Sequence, residues 1–107
     1  MNGKLACILA AFALALGACQ SYEKGVEVIC QGPNSCAECA NADPSMRMAM
    51  MAKSIEDNLS NGKATDLFGA MAAMSPAERV AKLAAEAKAA GLASCPLADY
   101  IRQEMAE

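Results

Sequence analysis

The sequence predicts an all-α fold: a small bundle or array of about four short helices behind a cysteine-rich N-terminal loop, stapled by disulfides. Three observations predict it. From Asp43 onward apolar residues recur at intervals of three and four, the period of one helix face. Prolines stand at positions 44, 76 and 96, each where a helix can begin at no hydrogen-bonding cost. Cysteines remain at positions 30, 36, 39 and 95, an even set suited to cross-linking a domain with little core of its own.

The first helix is expected from Asp43-Pro44, which offers an N-cap oxygen and a proline at N1, to about Ser60, with Asn61-Gly62 ending it. Met48, Met51, Ile55 and Leu59 share its inward face. A short segment from Thr65 to Met74 repeats the pattern with Leu67, Phe68, Met71 and Met74. Ser75-Pro76-Ala77-Glu78 is a capping box, the clearest local signal in the chain. Val80, Leu83, Ala84 and Ala87 line the helix it starts, and Gly91 is its natural stop. A last helix from Pro96 to about Met105 buries Leu97, Tyr100 and Ile101. No repeat or low-complexity tract stands out beyond a richness in alanine. Alanine lets helices approach closely but buries little area, so such a core needs covalent help.

The N-terminus reads as an address. Met1-Asn2-Gly3-Lys4 is a short positive start, and Leu5 to Leu16 (LACILAAFALAL) is an uncharged apolar run of twelve residues. As a helix that run rises roughly 18 Å, well short of a ~30 Å hydrocarbon core, which suits a signal-peptide segment better than a permanent span. Leu16-Gly17-Ala18-Cys19 follows: an aliphatic residue, two small ones, then cysteine. Residues 1–19 thus resemble the lipobox-type signal peptide of bacterial lipoproteins. The resemblance implies cleavage between Ala18 and Cys19, a diacylglycerol thioether on Cys19, and usually N-acylation as well. Two or three acyl chains, at about 0.8 kcal/mol per buried CH₂, anchor effectively irreversibly. Gln20 stands where many Gram-negative systems place an aspartate for inner-membrane retention, so the outer membrane is the favoured destination. The expected organisation is a signal peptide over 1–18, a lipidated tether over 19–29, and a small helical cysteine-containing domain over 30–107. Within the tether Val26-Glu27-Val28 alternates, too briefly to argue a strand.

Removal of the leader leaves eight cations against twelve acids, a formal charge of −4 without a basic cluster. Nucleic-acid binding is not expected. The chain contains no histidine, which removes a histidine general base, a Ser-His-Asp triad, attached c-type haem and histidine metal ligands. With two tyrosines, two phenylalanines and no tryptophan it builds no stacking platform. The expectation is a protein without catalysis or cofactor.

Cys30, Cys36, Cys39 and Cys95 permit three pairings into two disulfides. If Cys39 takes Cys95, the closed loop is 57 residues, worth about 4 kcal/mol in the chain-entropy account, and Cys30–Cys36 closes the Gly32-Pro33-Asn34-Ser35 turn. Sharper chemistry competes with this reading. Cys36-Ala37-Glu38-Cys39 has the C-x-x-C spacing of thiol–disulfide exchange, although no strand precedes it and Glu38 opposes a thiolate. The Cys30-x₅-Cys36-x₂-Cys39 spacing resembles that of adrenodoxin-type ferredoxins, without their sheet-rich context. Four thiolates also suit zinc or copper, and seven methionines outside the leader, including Met46, Met48, Met50 and Met51, add soft donors. Met46 and Met50 share a face while Met48 lies opposite Met46, so the four do not converge from one helix.

The function these features imply is a membrane-anchored bacterial envelope lipoprotein with a structural or interaction role. Its partners would be the lipid membrane, through acylated Cys19, and another envelope protein. The alternatives are a soft-metal binder using Cys30, Cys36, Cys39 and Cys95, and a redox partner using Cys36 and Cys39.

Overall fold

The computed structural model describes residues 20–106, and every regular element among them is helical. Six α-helices and one 3₁₀ turn follow in order. They are α1 (Tyr22–Cys30), α2 (Gly32–Ser35), the 3₁₀ turn (Ala37–Asn41), α3 (Pro44–Asn58), α4 (Gly62–Met71), α5 (Pro76–Ala89) and α6 (Pro96–Ala106). The four helices expected beyond Asp43 are α3 to α6.

The main correction concerns residues 22–29, expected as tether, which with Cys30 make one helix. That helix, α1, is the hub of the fold, packing against α2, α3, α4, α5 and α6. Ser21 starts it, its hydroxyl oxygen accepting from the Lys24 amide at 3.0 Å. Tyr22, Val26, Ile29 and Cys30 then fall at i, i+4, i+7 and i+8, one helical face. Val26, Ile29 and Cys30 are completely buried. At about 1.5–3 kcal/mol for each large side chain, that burial outweighs the strand preference of Val-Glu-Val. Gly25 sits mid-helix because α4 passes close beside it: a Cβ there would overlap that of Ala64.

The second correction concerns the cysteine-rich stretch, expected as loop. Gly32–Ser35 makes one helical turn and Ala37–Asn41 a 3₁₀ turn, so Cys39 sits on the 3₁₀ turn and Cys36 at the junction between the two. Gly32 packs under α3, where a Cβ would stand 2.6 Å from Ile55 Cδ1.

Asn61-Gly62 starts a helix as well as following one. Leu59 already caps α3, and Asn61 Oδ1 accepts from the Ala64 amide at 3.0 Å as the N-cap of α4. Asp43 holds the N-cap position of α3, but its carboxylate makes no capping hydrogen bond. The capping box of α5 is complete, with Ser75 and Glu78 bonded reciprocally. Gly91, at φ +80°, closes α5 in a Schellman motif: Leu92 N–H donates to Ala87 at 2.9 Å and Gly91 N–H to Lys88 at 3.1 Å.

Two corners are built alike. Arg47 and Arg79 each stand four residues past an N-cap and three past a proline. Arg47 donates from Nε to Cys39 O (3.0 Å) and from Nη2 to Ala42 O (3.1 Å). Arg79 donates from Nε to Met71 O (2.7 Å) and from Nη2 to Ala72 O (3.3 Å). Each guanidinium thereby adds charge-assisted hydrogen bonds to carbonyls at the end of the preceding segment, two of which, Cys39 O and Met71 O, also accept a backbone amide.

The core joins Val26 and Ile29 of α1 to Met51 and Ile55 of α3, Leu67 and Met71 of α4, Leu83 of α5, and Leu97 and Ile101 of α6. Seven residues expected inside differ. Met48 and Ala84 are exposed, while Leu59, Phe68, Met74, Val80 and Tyr100 are half-buried against the core edge.

Gly25→Ala is expected to destabilise the protein by about 1–3 kcal/mol through overpacking against Ala64, despite a gain in helix propensity. Adding Ala64→Gly should recover much of that loss. Denaturant midpoints of the two single variants and the double variant measure the coupling.

Candidate functional site

Two regions carry the residues to which the sequence assigns chemistry: the N-terminal attachment point and the cysteines. Ala18 and Cys19 lie outside the described residues, but Gln20, the residue after Cys19, does not. Gln20 Nε2 donates to Asn58 O at 3.0 Å, and its Oε1 accepts from the amides of Ser60 (2.9 Å) and Asn61 (3.2 Å). Asn61 Nδ2 donates in turn to the Gln20 carbonyl at 3.0 Å. Four hydrogen bonds therefore fasten the chain to the α3–α4 corner immediately after position 19. The tether expected over residues 19–29 is, in its described part, docked at Gln20 and helical from Tyr22.

Two residues on, Tyr22 donates its hydroxyl to Glu86 Oε1 at 2.7 Å, reaching from the start of α1 to the last turns of α5. Lys63 lies 5.6 Å above the Tyr22 ring, and Lys82 pairs with Glu86 at 3.2 Å. Burial, and then the bond to Glu86, pushes the Tyr22 hydroxyl up to about 12. The same bond, with help from Lys82, holds Glu86 below its ordinary value. Glu78 is lowered likewise by its bonds to Ser75 in the capping box. Each of these shifts follows from a contact that positions a helix.

The cysteines close as Cys30–Cys95, with Cα atoms 4.6 Å apart, and Cys36–Cys39, with Cα atoms 5.4 Å apart. This is a different pairing from the Cys39–Cys95 and Cys30–Cys36 arrangement considered above. The reason is where α1 ends: its last residue, Cys30, is delivered into the core beside the start of α6. Cys36, at the junction of the two short turns, pairs with Cys39 three positions on.

These sulfurs are inaccessible. Exposure is 5% at Cys36, 3% at Cys39, 6% at Cys95 and zero at Cys30. Exchange needs an attacking thiolate to reach a disulfide sulfur, and Glu38 Oε1, 3.9 Å from Cys36 Sγ, discourages thiolate formation there. Burial and charge together favour a staple over an exchange centre. The four-thiolate metal set is likewise divided into two closed pairs. Among the described residues no group of three or more cysteine or carboxylate side chains is arranged to hold a metal. No polar or charged side chain among them is buried. No described helix is long and apolar enough to cross a membrane.

Several of these residues carried no sequence signal of their role. Nothing local marks Gln20 or the Tyr22–Glu86 pair, whose partners are 38 to 64 positions away. The two Pro-x-x-Arg segments, by contrast, share a local spacing, Pro44 to Arg47 and Pro76 to Arg79, although the corner they build takes the structure to see.

The pH dependence follows from Tyr22 and Glu86. Tyr22 titrates higher folded than unfolded, so its contribution is present below pH 10 and is lost as pH rises from about 10 to about 12. Glu86 titrates lower folded, so its contribution is present above pH 4.5 and is lost as pH falls through the folded value. Tyr22→Phe is expected to cost about 1 kcal/mol at neutral pH. That gap from the parent should close by pH 12, as followed by denaturant unfolding across the range. Comparison of this chain with family models, with curated proteins and with solved structures finds no match to it.

Proposed function

We propose that this chain is a lipid-anchored bacterial envelope protein with a non-catalytic structural or interaction role, held to a membrane through Cys19. The observation that carries the reading is the join between address and domain. The lipobox-like Leu16-Gly17-Ala18-Cys19 runs straight into Gln20, and Gln20 is pinned by four hydrogen bonds to the α3–α4 corner. Acyl chains on Cys19 would hold the domain with that corner against the lipid surface and the opposite ends of its helices turned away. The two closed cysteine pairs suit an oxidising compartment, where disulfides persist. The absence of histidine and of any buried polar side chain among the described residues gives no support to acid–base catalysis. The outer membrane remains the favoured side, on Gln20 at the position after the cysteine.

Cys19→Ala, expressed in a Gram-negative host fed a radiolabelled fatty acid, is expected to lose the label and leave the membrane fraction. Parent protein should be labelled and co-sediment with outer membranes. Unchanged membrane attachment of the variant would overturn the anchor.

The staples have their own test. Replacing Cys30 and Cys95 together by alanine should cost about 4 kcal/mol, because that bridge spans 65 positions of the chain. Replacing Cys36 and Cys39 should cost about 2 kcal/mol, their loop being three positions long. Chemical denaturation of both double variants ranks the bridges, and equal costs would refute that ordering.

A further inference from the structure

Among the described residues, the large hydrophobic side chains left exposed are all methionines: Met46 at 54%, Met48 at 38% and Met105 at 50%. Met51 and Met71 are buried and serve as flexible core filler, the ordinary use of this residue. The exposed three do not. Two of them share a groove: Met48 from α3 and Met105 from α6 line a cavity of about 210 Å³, with Tyr100 and Glu104. Met46 is two residues from Met48, about 200° around α3, and is not in the groove.

The chemistry of the pair is specific. A thioether is a soft, neutral donor with no proton to lose, so it binds d¹⁰ monovalent ions such as Cu(I) and is a poor ligand for Zn²⁺. It keeps that capacity in an oxidising compartment, where all four described cysteine thiols are already spent in bridges. Glu104 supplies a carboxylate at the rim to offset the charge of a bound cation. Arg79, the one cation lining the groove, has Nε and Nη2 turned onto the Met71 and Ala72 carbonyls. The half-buried Tyr100 also lines the groove.

We propose that Met48 and Met105 form a binding site for a monovalent soft metal ion, Cu(I), with Glu104 as its charge partner. The site is distinct from the cysteine pairs and does not depend on the lipid anchor. It lies ten residues along α3 from Asn58, where Gln20 docks, a rise of roughly 15 Å. An anchored protein would therefore present it away from the membrane.

The test titrates the purified protein, disulfides intact, with Ag(I) as a redox-inert probe and with Cu(I) in competition with a chromophoric chelator. The expected result is one ion per chain, with the methyl resonances of Met48 and Met105 shifting together. Met48→Leu and Met105→Leu should each weaken binding at least tenfold while leaving the thermal transition in place. Met46→Leu should bind as the parent does. Binding that survives the double variant Met48→Leu/Met105→Leu would overturn the proposal. So would binding that appears only after disulfide reduction, which would place the ion on cysteine sulfur, or Zn²⁺ binding of equal strength.

Discussion

The placement of α1 is the constraint on which the rest of the structure depends. A nine-residue helix contributes three completely buried side chains and touches every other α-helix. Alone it is too short to be stable in water, since helices below about a dozen residues are marginal. What keeps it helical is its surroundings. Gln20 and Tyr22 tie its start to the α3–α4 corner and to α5, and Cys30 ties its end to the start of α6. Gly25, a weak helix residue, is the position that lets α4 come close enough for Ala64 to pack. The long bridge constrains the unfolded chain, while the close approach and the hydrogen bonds select one docking of α1 in the folded one.

Around that hub the chain turns by local devices. Asp43-Pro44 and Ser75-Pro76 set the starts of α3 and α5, and Arg47 and Arg79 reach back to the carbonyls of the segments before them. A guanidinium that donates to two carbonyls fixes both the end of one helical segment and the direction of the next. Because the same residue spacing does this twice, the two corners need no large apolar contacts to hold their angle. That matters in a domain where alanine takes many of the helix positions and buries little area.

The sulfur atoms divide by access. Those of the described cysteines lie inside and are bonded to one another, so their chemistry is spent on holding α1, α6 and the short turns in place. Methionine sulfur is present both inside, as filler, and outside, in a groove between α3 and α6.

The sequence by itself determined the helical class, the four helices beyond Asp43, the capping box at Ser75 and the stop at Gly91. Each of these is local: caps, prolines and three-to-four spacing act within a turn or two, and the physics that reads them has the same range. What only the tertiary structure decided is non-local. Val26-Glu27-Val28 is compatible with strand, loop or helix, and became the centre of the fold because α4, α5 and α6 supply the apolar surface that buries Val26 and Ile29. Four cysteines allow three pairings, and the position of α1 chose between them. Met48 carries the same helical phase as Met51, yet one faces solvent and the other the core, because a helix shows its partners only along the part of its length that they cover.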